Sequence, residues 1–457
     1  MTATNADTLF QQLSDFVQEG MKRLNVPGVG LGIQFDGREF VAGFGVTSVP
    51  NPLPVTPDTT FQIGSITKTF TASAAMRLVE QGKLDLDAPI RTYLPDLKLS
   101  SEEATTSATL RHIFNHTGGW VGDYFDDCGP GDDARARIVE RMAKLPQLYP
   151  FGQLFSYNNS GYYIAGRVLE VVTGKSYEHV IHELIFEPLG MDHSFFDPEE
   201  VMLGRFAVGH NVIDGEPQVA RPWGLTRATF PAGAISSSVR DQLTYARFQM
   251  GDGTASNGDR VLQRSSMDEM QAPRTPAGSG AGHVGVSWMI KDIDGVRTLG
   301  HTGGTNGQIS LFRLVPSKGF AISVLTNANQ GSELYGDVLS WALEHYLDLK
   351  ETYPPEVQPG EDTLKEYAGS YTAALSDAEL YVENGVLMLQ ATPKGGFPMP
   401  DSKPGPKPPP VRLSIHEGEQ IVSLDAPFKA SRGEFLRGDD GSIEWMRFGS
   451  RLARRVN

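Results

Sequence analysis

Hydrophobic residues recur at three- and four-residue spacing near the start of the chain, which predicts a helix with one buried face. This face consists of Leu9, Phe10, Leu13, Phe16, Val17, Met21 and Leu24. Pro27 and Gly28 then end the helix. Two alternating runs, 29–35 and 39–46, flank Asp36-Gly37, a dipeptide typical of tight hairpin turns because both positions must tolerate positive φ. The chain therefore begins with a helix followed by antiparallel strands.

The middle of the chain, from about Ser65 to Arg240, is mainly helical in pattern, with long connections. Alternation returns late, and predicts strands 309–315 and 320–326 followed by helix 333–349. A sheet supplied by both ends of a region, with helices inserted between them, is an α+β architecture. We therefore expect residues 1–350 to form an antiparallel sheet flanked by helices, with a mainly helical insertion.

A change of composition follows this region. Residues 351–361 are rich in proline and polar residues, and we interpret them as a linker. Residues 362–457 contain short alternating runs around Asn384-Gly385 and Asp440-Gly441, which predict a small all-β barrel or sandwich. Eight prolines exclude a central strand over 393–410, so we expect an exposed loop there that overhangs the neighbouring domain.

Charge and composition limit the kinds of molecule that we expect the protein to bind. The hydrophobic residues make up 39% of the 457 positions, as in a globular protein, and the net charge is −15. An acidic surface repels phosphates and anionic lipids, so we expect neither nucleic acid nor membrane as a partner. Cys128 is the one cysteine, which excludes an internal disulfide. Because we find no signal-peptide pattern and no apolar run of ~18 residues, we expect a cytoplasmic protein.

Three segments carry candidate chemistry. Ser65 and Lys68 lie three residues apart at the start of a predicted helix, on one face, where a lysine with a lowered pKa can activate a serine. Tyr157 and Asn159 lie two residues apart in a non-helical stretch, so both side chains can face one cleft. Each pattern alone is common in structural roles, as an N-cap serine or an asparagine-rich turn.

The third segment is glycine-rich, and it occurs twice. Gly300-His301-Thr302-Gly303-Gly304 precedes a predicted strand, and its glycines allow another backbone to approach closely. His116-Thr117-Gly118-Gly119 repeats the string after a helical stretch, without a neighbouring strand. We therefore assign the chemistry to His301, Gly303 and Gly304, on a strand at the edge of a cleft, and give His116 a structural role.

Together the segments resemble the serine β-lactamase and penicillin-binding-protein superfamily, in particular its class C branch, which includes family VIII carboxylesterases and D-peptidases. The resemblance covers residues 10–350, and the C-terminal unit resembles a lipocalin-like barrel. The resemblance implies that Ser65 forms an acyl-enzyme and that Lys68 and Tyr157 share the proton transfers. Lys68 would keep the local field positive so that Tyr157 ionises. Asn159 would hold either the substrate amide or Lys68. The backbone N–H groups of Ser65 and Gly304 would form the oxyanion hole.

His301 departs from many relatives, which have a lysine there. A histidine with its ordinary pKa near 6.5 is mostly neutral at pH 7 and attracts a substrate carboxylate weakly. We therefore expect a hydrolase of small esters or amides with weak or no β-lactam turnover. Its partner would be a small ester, amide or short peptide, and it would need no metal or cofactor.

Several alternatives stay open. A D-amino-acid-specific peptidase or amidase and a transacylase use the same acyl-enzyme, whereas a penicillin-binding sensor or inactive scaffold would not turn over. Trp120, Tyr124 and Trp223 are candidates for the wall of the acyl pocket. The choice between Lys68 and Tyr157 as acylation base, the role of the C-terminal unit and the oligomeric state are not resolved by the sequence.

Overall fold

The structure is a computed structural model that describes residues 3–456. The strands of the N-terminal region are β1 (Gly28–Phe35), β2 (Arg38–Gly45), β3 (Phe61–Gln62), β4 (Ser194–Phe195), β5 (His210–Ile213), β6 (Glu216–Val219), β7 (Ser236–Ser237), β8 (Thr275–Ala277), β9 (Gly282–Val284), β10 (Met289–Ile293), β11 (Val296–Gly304), β12 (Ile309–Val315) and β13 (Phe320–Thr326). Eight of them form an antiparallel sheet in the order β2-β1-β13-β12-β11-β10-β9-β8. The predicted α+β class is confirmed, because both ends of the region supply this sheet.

The helices surround the sheet and fill the insertion. They are α1 (Ala3–Leu24), α2 (Thr67–Glu80), α3 (Glu102–Ser107), α4 (Leu110–Phe114), α5 (Ala134–Arg141), α6 (Ser160–Thr173), α7 (Tyr177–Ile181), α8 (Glu187–Leu189), α9 (Pro198–Val201), α10 (Phe230–Gly233), α11 (Val239–Met250), α12 (Arg264–Met270), α13 (Gly278–Ala281) and α14 (Gly331–Leu347). The last helix, α15 (Glu361–Tyr367), belongs to the C-terminal unit, where Leu364 and Tyr367 join the core of the strands. None of the described helices combines the length and apolar character needed to cross a membrane.

Two hydrophobic layers hold the sheet between the helices. On one face, α1 and α14 bury Leu13, Val17 and Val338 against the strands. On the other face, α2, α6 and α11 form a larger core with the inserted segments. Burial of each large aliphatic side chain stabilises the fold by about 1.5–3 kcal/mol. The hairpin between β1 and β2 turns at Asp36 and Gly37, whose φ angles of 52° and 71° are those that the sequence pattern predicted.

The C-terminal unit is a closed barrel. Its strands are β15 (Gly369–Thr372), β16 (Ser376–Glu383), β17 (Val386–Pro393), β18 (Val411–His416), β19 (Gln420–Ser423), β20 (Arg432–Arg437), β21 (Ile443–Phe448) and β22 (Arg451–Val456). Each strand from β15 to β21 pairs with the next one along the chain, and β15 pairs with β22, so the strands close into a barrel and not a sandwich. The proline-rich segment that we interpret as a linker adds a further short strand, β14 (Glu356–Val357), to β18.

The barrel packs directly on the N-terminal region. Trp445 contacts Tyr149 edge to face, with ring centroids 6.0 Å apart, and Leu452 joins the same apolar cluster. The backbone N–H of Leu452 also donates to the hydroxyl of Ser156 at 3.1 Å. Consequently the turn between β21 and β22 lies against residues 155–159, the segment that precedes α6.

Candidate active site

Ser65 lies at the base of a cavity, in a short turn of 3₁₀ helix (Gly64–Ile66) that leads into α2. The end of β11 packs directly on this turn. A Cβ on Gly303 would lie 1.9 Å from the carbonyl oxygen of Ile63, and a Cβ on Gly64 would lie 2.5 Å from the nitrogen of Gly304. Glycine is therefore required at both positions, and it brings the backbone of Gly304 beside Ser65.

Lys68 is fully buried one turn along from Ser65. Its Nζ lies 3.0 Å from Ser65 Oγ, 2.7 Å from Asn159 Oδ1 and 2.6 Å from the carbonyl oxygen of Ala232. Burial, and then the charge of Arg451, lower the pKa of Lys68 well below its usual range. A neutral amine has two N–H groups and one lone pair. Because Asn159 and Ala232 both offer acceptors, the lone pair of a neutral Lys68 would face the hydroxyl of Ser65.

Asn159 is held in this orientation by a carboxylate. Its Nδ2 donates to Asp123 Oδ1 at 2.7 Å, and since a carboxylate only accepts, Oδ1 of Asn159 must face Lys68. Asp123 is in turn held by Arg451, which donates from Nη2 at 2.9 Å and from Nε at 2.5 Å. A continuous chain of polar contacts thus runs from the nucleophile to the barrel.

Tyr157 borders the same cavity and stays protonated. Burial raises its pKa above the usual 10, and a hydrogen bond with Ser65 and the charge of Arg451 only partly oppose this effect. The resemblance implies a cationic Lys68 that helps Tyr157 to ionise near neutral pH. The buried environment shifts both pKa values in the opposite direction, which favours a neutral Lys68 and a protonated Tyr157.

The backbone around Tyr157 is fixed from two sides. Its N–H donates to the carbonyl oxygen of Ser450 in the barrel at 2.8 Å. Behind it, the ring of His116 stacks on Tyr157 with centroids 4.5 Å apart, while His116 Nδ1 accepts from the N–H of Asn158 at 3.0 Å. The first histidine-threonine-glycine-glycine segment therefore lies behind the tyrosine and outside the cavity lining.

His301 lines the cavity as a neutral side chain. Burial and the proximity of Lys68 lower its pKa to about 3. Nδ1 lies 2.6 Å from the carbonyl oxygen of Thr302 and therefore carries the proton, which leaves Nε2 facing the hydroxyl of Tyr157 at 3.5 Å. We expected an edge strand here, but β11 is internal. Its pairing with β10 stops at Gly300, so only the part from His301 onward is free on the cavity side.

The cavity has a volume of about 440 Å³ and is lined from both domains. The N-terminal region contributes Ser65, Asp123, Phe125, Tyr157, Asn159, Leu225, Thr229, Ala232, Gly233, Met289, His301, Thr302, Gly303, Gly304, Thr305, Ile309, Ser332 and Tyr335, and the barrel contributes Leu375, Phe397, Gly449, Ser450 and Arg451. Phe397 comes from the proline-rich loop, and its ring contacts Phe125 edge to face at 4.9 Å. This loop overhangs the N-terminal region, as its composition suggested.

The three aromatic residues that we proposed for the pocket wall lie elsewhere. Trp120 is fully buried, and its indole nitrogen donates to Ser160 Oγ at 3.2 Å. Tyr124 donates its hydroxyl to Asp126 at 2.7 Å, and the indole nitrogen of Trp223 donates to the carbonyl of Ala207 at 3.0 Å. These contacts direct all three side chains into packing, so none of them lines the cavity. Phe125, which follows Tyr124, and Leu225, which lies two residues after Trp223, line the cavity instead.

Sequence reasoning missed Asp123 and the residues from the barrel. Asp123 has no motif of its own, although it lies between Trp120 and Tyr124, two residues that we proposed for the pocket wall. Arg451 is one of several arginines near the end of the barrel. Within residues 3–456, no three His, Cys, Asp or Glu side chains are grouped closely enough to hold a metal ion.

A serine that begins a buried helix, a lysine one turn later, a tyrosine and an asparagine from a second segment, and a glycine-rich strand define the class of the serine β-lactamases and penicillin-binding proteins. The chain belongs to the Beta-lactamase family, whose model matches residues 13–343. It is 33% identical over 360 residues to penicillin-binding protein 4 of Amycolatopsis lactamdurans, an alignment that covers 76% of this chain and 93% of the relative.

Solved structures agree with this membership. The crystal structure of SurE is similar over 99% of this chain and all of the SurE chain, with 25% identity and a TM-score of 0.74. The class C β-lactamase of Rhodobacter sphaeroides is similar over 73% of this chain and 99% of its own, with 26% identity and a TM-score of 0.62. The similarity to SurE therefore extends over the barrel, whereas the β-lactamase matches a smaller part of this chain.

Proposed function

We propose that this protein hydrolyses small esters or amides through an acyl-enzyme on Ser65. The observation that carries this proposal is the amine of Lys68, buried and aimed at the Ser65 hydroxyl from 3.0 Å. A lysine in this state accepts a proton at neutral pH, which a solvated lysine does not. The family membership supports the same chemistry.

The reaction follows from the positions of the protons. Lys68 takes the proton of Ser65 as Oγ bonds to the carbonyl carbon, and the N–H groups of Ser65 and Gly304 stabilise the oxyanion. The tetrahedral intermediate then loses its leaving group, which takes the proton of Tyr157, and the Lys68 ammonium returns a proton to Tyr157. In deacylation, water attacks the acyl carbon and gives one proton to Lys68. The bond between this carbon and Ser65 Oγ then breaks, the acid is released, and Lys68 returns the proton to Ser65 Oγ.

The cavity favours a neutral, apolar acyl group. Phe125, Leu225 and Phe397 line it, and His301 carries no charge. The cation in the lining, Arg451, already has its charge matched by Asp123. A substrate carboxylate therefore gains little, and we expect β-lactams to acylate Ser65 but to turn over weakly.

A transacylase is the second candidate, because the barrel and its loop line part of the cavity and extend the surface on which an acyl acceptor other than water can bind. A D-peptidase would use the same residues. Product analysis with an added amine separates transfer from hydrolysis. A sensor that never deacylates would release one equivalent of product and then stop.

The test uses p-nitrophenyl esters of increasing chain length, paired L- and D-aminoacyl anilides and a chromogenic cephalosporin. We expect ester or anilide turnover above cephalosporin turnover, and we expect Ser65→Ala to abolish it without changing the thermal unfolding temperature. Mass spectrometry of the protein after a covalent serine probe should place the label on Ser65. A label on another residue, or an active Ser65→Ala variant, would refute the proposal.

A further inference from the structure

A second, larger cavity of about 1,600 Å³ opens beside the catalytic one, and we name it the acidic groove. Its floor is apolar, with Phe186, Phe196 and Phe230, and Leu203 stands 90% exposed at its rim. Seven carboxylates line it. A concave site with an apolar floor and polar groups at its rim is typical of a binding site.

The charge of the acidic groove is not neutralised by the protein. Arg227 is the one arginine or lysine in its lining, and it is already paired with Glu178 at 2.9 Å and Asp132 at 2.7 Å. Among residues 3–456, the other six carboxylates, which include Glu199 and Glu200, form no ion pair with any side chain. A cleft lined by one sign of charge concentrates ligands of the opposite sign.

The acidic groove adjoins the catalytic cavity. Three chain segments, 125–127, 225–229 and 397–399, each contribute residues to both linings. Leu225 lines both. The barrel loop takes part in this boundary, since Phe397 borders the first cavity and Met399 the second.

We propose that the acidic groove binds the distal part of the substrate's acyl chain, and that this part is a peptide with apolar and positively charged groups. This inference rests on the proposed function of Ser65. Neither Tyr157 nor the Ser450-Arg451 turn lines the groove. The leaving group departs beside the proton donor Tyr157, on the side of the cavity away from the groove. We therefore assign the groove to the other product, the acyl chain.

The test is a series of peptide p-nitrophenyl esters that are one to four residues long. The N-terminal residue is lysine, norleucine or glutamate, acetylated on its α-amino group so that the lysine side chain keeps its charge. Each kcat/KM is divided by that of p-nitrophenyl acetate on the same variant. Once the chain is long enough to reach the groove, we expect lysine to exceed norleucine by about tenfold at low salt, with glutamate lowest. High salt should reduce this ratio.

Two double variants with the same change in net charge separate the groove from the global field. Glu199→Lys/Glu200→Lys reverses two exposed glutamates in the first turn of α9, and should abolish the preference for lysine. Glu102→Lys/Glu103→Lys makes the same change in the first turn of α3, away from both cavities, and should preserve it.

A lysine-to-norleucine ratio near one at every length, or an equal ratio in the two variants, would overturn the groove proposal. In that case continued turnover of p-nitrophenyl acetate and labelling of Ser65 would leave the proposed function standing. Loss of both would instead refute the proposed function.

Discussion

The chain of contacts from Lys68 to the barrel predicts that two substitutions move the pH dependence of acylation in opposite directions. The charge of Arg451 lowers the pKa of Lys68, and the charge of Asp123 raises it. Acylation needs the neutral amine, so kcat/KM rises with pH through the Lys68 pKa. Arg451→Met should therefore move this acid limb to higher pH, and Asp123→Asn should move it to lower pH.

The magnitude follows from the geometry. Lys68 Nζ lies 2.7 Å from Asn159 Oδ1, and Asn159 Nδ2 lies 2.7 Å from Asp123 Oδ1. The amine and the carboxylate are thus roughly 7 Å apart, which corresponds to about 2 kcal/mol at an effective dielectric constant of about 20. After screening by salt, we expect Asp123→Asn to move the acid limb by about one pH unit. Arg451→Met should have an effect of opposite sign and at least equal size, because the charge of Arg451 influences the pKa of Lys68 more than that of Asp123 does.

The assay is stopped-flow acylation by a p-nitrophenyl ester between pH 5 and pH 10, run on both variants and on the double variant. Asparagine at 123 retains an oxygen for the N–H of Asn159, so Asp123→Asn changes charge with little change in shape. Residues joined in one such network commonly couple by about 0.5–3 kcal/mol, and the double variant measures this coupling. Thermal unfolding of each variant serves as the control for folding.

Equal shifts of the acid limb in the same direction would refute the reasoning, since a general loss of packing moves both variants alike. Unchanged pH profiles with reduced kcat would show that Arg451 and Asp123 only position Asn159. Additive effects in the double variant would show that the two residues act independently.

Three other predictions concern the cavity. His301→Lys places a cation in the lining and should raise kcat/KM for substrates with a carboxylate relative to their neutral analogues; an unchanged ratio would contradict this. Phe397→Ala removes the contact with Phe125, worth about 0.5–1.5 kcal/mol, and should favour longer acyl esters over acetate, whereas an unchanged chain-length profile would show that the loop does not limit the cavity. His301 is neutral when folded, with a pKa of about 3 against 6.5 when unfolded, so the unfolded state binds the extra proton as pH falls. The free energy of unfolding should therefore drop by about 1.4 kcal/mol per pH unit below pH 6.5, and urea unfolding of His301→Gln should show a weaker dependence.

Local patterns predicted most of the fold. Strands 309–315 and 320–326 have the predicted bounds, because alternation expresses which side chains face a core. The same holds for the hairpin at Asp36. Ser65 and Lys68 could be identified for a related reason. They lie three residues apart, so helical spacing alone brings their side chains to one face.

The rest of the site depends on contacts between distant parts of the chain. Asp123 and Arg451 meet across 328 positions, and nothing in either segment indicates the other. Trp120 shows a second limit. Its position after two glycines gave no information about side-chain direction, which is set by the packing of the indole beside Ser160.

The insertion of Ser450 and Arg451 beside Tyr157 has a consequence for biosynthesis. A ribosome completes the sheet and helices of the N-terminal region about one hundred residues before it reaches β22. Until that strand closes the barrel, Asp123 lacks its arginine and the wall of the cavity is open. The nascent chain thus carries its nucleophile early but acquires the finished catalytic centre only after the last strand has been translated and folded.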